Sequence, residues 1–182
     1  YRGSKIEQQN DILYVESYKD GNKIEKTIKA IRGYCSFLYI ILNKKIDIIH
    51  IHSSFGASFY RKIPFIYIGK LFNKTIINHI HGADFEKFYI NANNIKKKVI
   101  NNVYNKCDYI ISLSEEWKNN LELIVPQEKI KIIENYSIIQ EKHIIQERYK
   151  EVKNQILFLG EIGKRKGCYD IPEVIQKVVK EI

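Results

Sequence analysis

Methionine is absent from the sequence, tryptophan occurs once, and only three prolines and three cysteines are spread over 182 residues. Cys35, Cys107 and Cys168 stand singly, odd in number and without Cys-x-x-Cys spacing, which excludes a dense disulfide scaffold and a four-thiolate zinc site. A reduced, cytoplasmic setting is the simplest account of them. The most apolar run, Tyr34 to Leu42, is far shorter than the ~18 residues a spanning helix needs. No signal peptide is visible. The sequence starts at Tyr1 and stops at Ile182 directly after a helical pattern, so it reads as a fragment.

Enough is present to build a core. Hydrophobic residues make up 45% and charged ones 28%, ordinary values for a globular chain, and the length suits one compact domain or one domain plus the start of another. Lys and Arg exceed the acids by enough to give a formal net charge of +9. That excess favours an anionic partner through long-range attraction, whether phosphate, nucleic acid or a lipid surface.

Periodicity divides the chain into alternating elements. Asp11 to Val15 reads as a short strand, followed by a turn and a helix cap at Asn22. Ile24, Ile28, Ile31, Cys35, Leu38 and Leu42 recur at helical spacing, which predicts a long amphipathic helix ending near Asn43. Asp47 to His52 is a buried strand, after which Ser53 or Ser54 caps a helix carrying Pro64. Thr75 to His81 is the next strand and runs into the polar loop Gly82-Ala83-Asp84.

A helix over Asn93 to Lys106 leads into the strand Asp108 to Leu113, and Ser114 with Glu115 and Glu116 opens another helix. Ile130 to Ile133 is a short strand. The polar connector Glu134 to Lys153, with a short helix around Ile144 to Val152, precedes the strand Gln155 to Leu159, the loop Glu161 to Gly167 and a helix marked by Ile171, Val174, Ile175 and Val178. Strands alternating with helices imply right-handed crossovers and a largely parallel sheet covered on both faces.

Loops at the carboxyl ends of such strands are where ligands bind. His50 and His52 end one strand and His79 and His81 the next, and residues two apart on a strand share a face. If the strands are neighbours, four imidazoles and Asp84 can converge, either as a nitrogen-rich metal site or as packed strand histidines lining a cleft. Gly160 to Gly167, with Lys164, Arg165 and Lys166, lies between strand and helix, where backbone donors and basic side chains hold phosphate; the alternative is a solvated basic turn. Arg165 replaces the Ser or Thr of a Walker A loop, and Gly-x-Gly-x-x-Gly is absent. No Gly-x-Ser-x-Gly elbow surrounds Ser53 and Ser54, which argues against a serine nucleophile. Lys96 to Lys98 reads as a solvated helix face, Trp117 as core and His143 as exposed. No Asp-x-Asp occurs, which removes the usual carboxylate pair for a metal-bound nucleotide sugar.

Taken in order, Asp47 to His52, Ile77 to Gly82, Cys107 to Glu115, Glu128 to Asn135 and Ile156 to Gly160 through Lys166-Gly167 resemble a GT-B retaining glycosyltransferase. More narrowly they resemble the group 1 bacterial enzymes that build capsule, exopolysaccharide and lipopolysaccharide chains. The resemblance implies an α/β fold: a Rossmann-like, doubly wound parallel sheet forming the GT-B N-terminal domain, plus the first βα unit of a second Rossmann-like domain. It implies an acceptor-side domain over 1–135, an interdomain linker over 136–153 and the start of a nucleotide-sugar-binding domain over 154–182.

By the same resemblance His81 contacts the donor sugar near the reacting carbon, and Lys166 neutralises the leaving diphosphate, a task otherwise done by a metal. Gly160, Lys164 and Arg165 complete the donor loop. Asp84 and Ser53 are candidates for acceptor or loop contacts. No metal is expected, and the co-substrate is a nucleotide-diphosphate sugar. Partners would be a saccharide or lipid-linked acceptor and an anionic membrane surface at the cytoplasmic face, with no nucleic acid.

Departures from the family pattern are Glu161 where Arg is usual, Asn135-Tyr136 for Asn-Gly, and the lack of the Gly-rich N-terminal loop and of the Glu-rich donor motif. They imply a fragment that does not turn over alone. The readings left open beside this one are a metal-dependent hydrolase using the His-x-His strands and a non-catalytic α/β module binding a phosphorylated ligand.

Overall fold

The computed structural model describes residues 4–82, 84–135, 158, 162–163 and 167–181. The chain forms two compact units, Tyr1–Asn135 and Tyr136–Ile182.

The first unit runs α1 (Lys5–Gln9), α2 (Lys23–Asn43), β1 (Ile48–Ser53), α3 (Ala57–Leu71), β2 (Thr75–Ile80), a π-helical turn (Glu86–Ile90), α4 (Asn94–Asn105), β3 (Tyr109–Ser112), α5 (Glu115–Leu121), a 3-10 turn (Gln127–Lys129) and β4 (Ile130–Ile132). All strand pairs are parallel, in the order β1-β2-β3-β4. Parallel neighbours need a crossover, and α3, α4 and α5 supply the three. Local chemistry sets the helix starts. Asn22 Oδ1 accepts from Glu25 N–H at 2.9 Å, Asn93 Oδ1 from Lys96 N–H at 2.9 Å and Ser114 Oγ from Trp117 N–H at 3.3 Å, each satisfying an otherwise orphaned amide.

The sheet has one dry face. Ile49, Ile51 and Ser53 of β1 and Ile76, Asn78 and Ile80 of β2 are buried, while the residues between them are less so. Helix α3 lies on that face at a distance only glycine permits: a Cβ on Gly69 would meet Ile76 Cδ1 at 2.5 Å and Ile49 Cδ1 at 2.7 Å. Helix α4 lies beside α3, with Phe59 and Tyr104 ring centroids 5.2 Å apart, and Phe37 on α2 meets Phe65 edge-on. On the other face Ile48 and Tyr109 are 57% and 45% exposed. Coverage of both faces, expected from the sequence, is therefore realised on one face of β1 and β2, and their burial alternates as in a half-covered sheet. In β3, Ile110, Ile111 and Ser112 are all buried.

Four further expectations are corrected. Residues 11–15 form no strand; directly after them Glu16 and Ser17 lie against α2, where a Cβ on Gly33 would sit 2.9 Å from the Glu16 carbonyl oxygen. The stripe of α2 predicted to face the core faces outward, with Ile24 71%, Ile31 54% and Leu42 60% exposed, and the buried side is Ala30, Gly33, Phe37 and Ile41. Neither Ser53 nor Ser54 caps α3: its N-cap is Gly56, and Ser58 Oγ reaches back to accept from Ser54 N–H at 3.2 Å. Lys96 and Lys97 lie over the rings of Phe88 and Tyr89 rather than on a purely solvated face.

In the second unit the Gly167 to Asp170 turn leads into α6 (Ile171–Glu181), where the apolar spacing placed a helix. Lys177 pairs with Glu173 at 2.8 Å. The connector 136–153, His143 and the strand at 155–159, apart from Phe158, lie outside the described residues. No helix among the described residues is long and apolar enough to cross a membrane.

Candidate functional site

Parallel pairing in register brings the histidines together. His52 is the register partner of His79, and His50 that of Ile77, so all three imidazoles project from the open face at the carboxyl end of β1 and β2. His81 follows β2 directly, its N–H bonded to the Ser53 carbonyl at 2.7 Å. The four rings stack in one group: centroids lie 4.6 Å apart for His50 and His52, 5.1 Å for His52 and His79, and 4.1 Å for His79 and His81. His52 Nδ1 and His81 Nε2 are 2.9 Å apart, a hydrogen bond whose direction follows the tautomers.

Burial and mutual repulsion keep the cluster neutral. His50 is lowered to about 4 by burial first, then by the charges its neighbours would carry. His79 is lowered to about 4 by burial, then by His81 and His52. His52 is lowered by burial, then by His81 and Lys62, and His81 by burial alone. Imidazoles 4–6 Å apart in a half-dry setting cannot all take protons. Ligand nitrogens of His50, His52 and His79 lie within 4.8 Å of one another, so these three imidazoles are the group among the described residues that could hold a metal ion.

The loop after His81 is shaped by two backbone features. A Cβ on Gly82 would meet Ser54 Cβ at 3.0 Å, so the β2 loop can rest against the β1 loop only with glycine here. Asp84 has φ +73, a left-handed conformation that Asp tolerates better than most residues. Its carbonyl accepts from Phe88 N–H at 2.9 Å and so starts the π-helical turn, an element the sequence pattern did not signal and one common at functional sites. Phe85, Phe88 and Tyr89 bury their rings and anchor that turn.

Of the residues singled out from sequence, His81 sits in the cluster, and Asp84 is exposed at the loop, its carboxylate making no hydrogen bond or ion pair among the described residues. Ser53 points to the opposite, buried face, where its hydroxyl donates to Asn78 Oδ1 at 2.7 Å. Gly160, Lys164, Arg165 and Lys166 lie outside the described residues. Asn78 went unremarked in the sequence, yet it is a fully buried polar side chain that locks the two strand ends together. Its only signal was an amide in an otherwise apolar strand.

The model of Glycosyltransferase Family 4 matches residues 7–136. The chain belongs to glycosyltransferase family 4. No curated protein and no solved structure matches it. The matched span holds β1 to β4 and all four clustered histidines. The protein is thus a glycosyltransferase built on a Rossmann-like α/β sheet of GT-B type, working between a sugar donor and an acceptor. The match gives no support to the hydrolase or to the non-catalytic module.

Proposed function

We propose that this family 4 chain is part of a retaining, group 1 type enzyme of polysaccharide biosynthesis. It moves a hexosyl group from a nucleotide-diphosphate donor to a saccharide or lipid-linked acceptor. The observation that carries the reading is the neutral imidazole of His81, held by His52 at the carboxyl end of the sheet, where open α/β sheets bind ligands. A neutral ring positioned by a second ring offers a fixed dipole to a sugar hydroxyl without the energetic cost of reorganising.

Domain 1–135 serves the acceptor, 136–153 links, and 154–182 opens the donor domain. Gly160, Lys164, Arg165 and Lys166 then hold the leaving diphosphate, with Lys164 or Arg165 offsetting Glu161. No metal takes part, the departing phosphate serves as base, and the 182-residue chain alone is inactive. The enzyme works in the cytoplasm at an anionic membrane surface, where each Lys or Arg near the lipid contributes about 1 kcal/mol.

Sugar transfer by the full-length enzyme, followed by proton NMR of the product in excess EDTA, tests these statements together. Transfer that persists with an unchanged anomeric configuration is expected. Loss of turnover on chelation would sink the metal-free chemistry, and an inverted product would sink retention. Sedimentation with anionic vesicles at low salt checks the membrane contact, and a protein left in the supernatant would remove it.

A further inference from the structure

Beside the histidines, at the head of α3, is a cavity of about 540 Å³ lined by Tyr18, His52, Ser54, Phe55, Ala57, Ser58, Arg61 and Lys62. Its size is that of a small-molecule site. Its charge is unusual. Arg61 and Lys62 are adjacent cations on its wall, and neither forms an ion pair among the described residues. In the neighbouring extended segment Glu16 pairs with Lys29 at 2.8 Å, and Asp20 accepts from the hydroxyl of Tyr18, a lining residue, at 2.8 Å.

The two cations are fixed by neutral groups. The Arg61 guanidinium lies 4.7 Å from the Tyr18 ring centroid, and Lys62 Nζ donates to Ser17 Oγ at 2.9 Å. Arg61 Nε is buried without a hydrogen-bond partner. Burial first, and the Arg61 charge second, lower the Lys62 ammonium from its ordinary value. Two like charges held together in a half-dry pocket repel, and a bound anion relieves the repulsion. The cavity also takes in the start of α3, a 15-residue helix whose first turn has no side-chain cap, so backbone N–H groups add to the same field.

We propose that this cavity is the subsite for the phosphate-bearing end of the acceptor, a glycosyl phosphate or diphosphate ester. The inference rests on the glycosyltransferase reading and narrows its acceptor to a phosphorylated one. His52 lines the cavity and is bonded to His81, so an acceptor anchored here by phosphate has its sugar beside the His81 imidazole. An uncharged saccharide leaves Arg61 and Lys62 without a counter-charge and is the poorer occupant.

Isothermal titration of the 182-residue chain with inorganic pyrophosphate at low salt tests the subsite. We expect saturable binding that weakens steeply with added salt and falls about tenfold in Arg61→Gln and in Lys62→Gln, while Lys62→Arg keeps it. Melting temperatures are measured alongside, so that a loss of fold is distinguished from a loss of ligand. Absent pyrophosphate binding, or binding that both Gln variants leave intact, overturns the proposal.

Further arms use a short-chain prenyl diphosphosaccharide, the same saccharide 1-phosphate and the free saccharide. Tighter binding of the prenyl compound marks a lipid-linked acceptor and equal binding of the two esters a soluble one. Both results support the subsite, whereas equal binding of the free saccharide overturns it. Nucleoside diphosphate binding here more tightly than pyrophosphate, and sensitive to Arg61, would make it a donor site and overturn it as well. Intact pyrophosphate binding with no sugar transfer by the full-length enzyme would reject the transferase reading and leave the anion site standing.

Discussion

His52 Nδ1 and His81 Nε2 face each other at 2.9 Å across the ends of neighbouring parallel strands. One ring must donate and the other accept, so the tautomer of His52 fixes which proton His81 presents to a substrate. Under the proposed function His52 is a positioning residue and His81 the one assigned to touch sugar. His81→Ala in the full-length enzyme should lower kcat by about a hundredfold or more with little change in melting temperature, since His81 is only half-buried at a loop. His52→Leu should cost about tenfold, the worth of one hydrogen bond, and His52→Asn, which still donates and accepts, should recover part of it. Full turnover in His81→Ala would remove this site from the chemistry.

Acid should loosen the same cluster. His50 and His79 have folded values near 4, below the ordinary 6.5. Above pH 6.5 neither folded nor unfolded chain carries these protons, and the stability is fully present. Between 6.5 and about 4 the unfolded chain takes up protons that the folded cluster refuses, so stability falls as pH falls. Unfolding measured between pH 7.5 and 5, where ordinary carboxylates stay ionised, should show a declining melting temperature. The His50→Gln, His79→Gln double variant should flatten the decline. An unchanged slope in that variant would place the pH dependence elsewhere.

How far the sequence foretold this arrangement depends on which physical signal was local. The caps at Asn22, Asn93 and Ser114 act within three residues, and those helices begin where the side chains said they would. The His-x-His pairs told of a shared face, and the parallel register made it one cluster. Periodicity found the apolar stripe of α2 but could not name its neighbour; Gly33 and Phe37, on another side of the helix, are what pack inward. Residues 11–15 had strand composition, yet they pair with neither edge strand of the sheet, β1 or β4. Arg61 and Lys62 were two basic residues among 30, and only folding placed both on one cavity wall with no ion pair to either among the described residues.

At the opposite end of β2, Asp108 closes the sheet. Its carboxylate takes Lys70 Nζ at 2.8 and 2.7 Å and the Ile76 N–H at 2.7 Å, while its own N–H donates to the Ile76 carbonyl at 2.9 Å. Burial raises this carboxyl, but the Lys70 bond, the Ile76 N–H and the charges of Lys70 and Lys129 outweigh it and leave it below the ordinary 3.8. The stabilisation is thus present above that value and lost as pH falls through the lower folded one. The ion pair is about a third exposed on both sides and so contributes at most about 1 kcal/mol, whereas an unpartnered Ile76 N–H at a fully buried position costs about 1–3 kcal/mol. Asp108→Asn, which keeps an acceptor for that N–H, should therefore lose less stability in urea unfolding than Asp108→Ala. Equal losses in the two variants would mean that charge pairing, rather than the satisfied backbone amide, holds the start of β2.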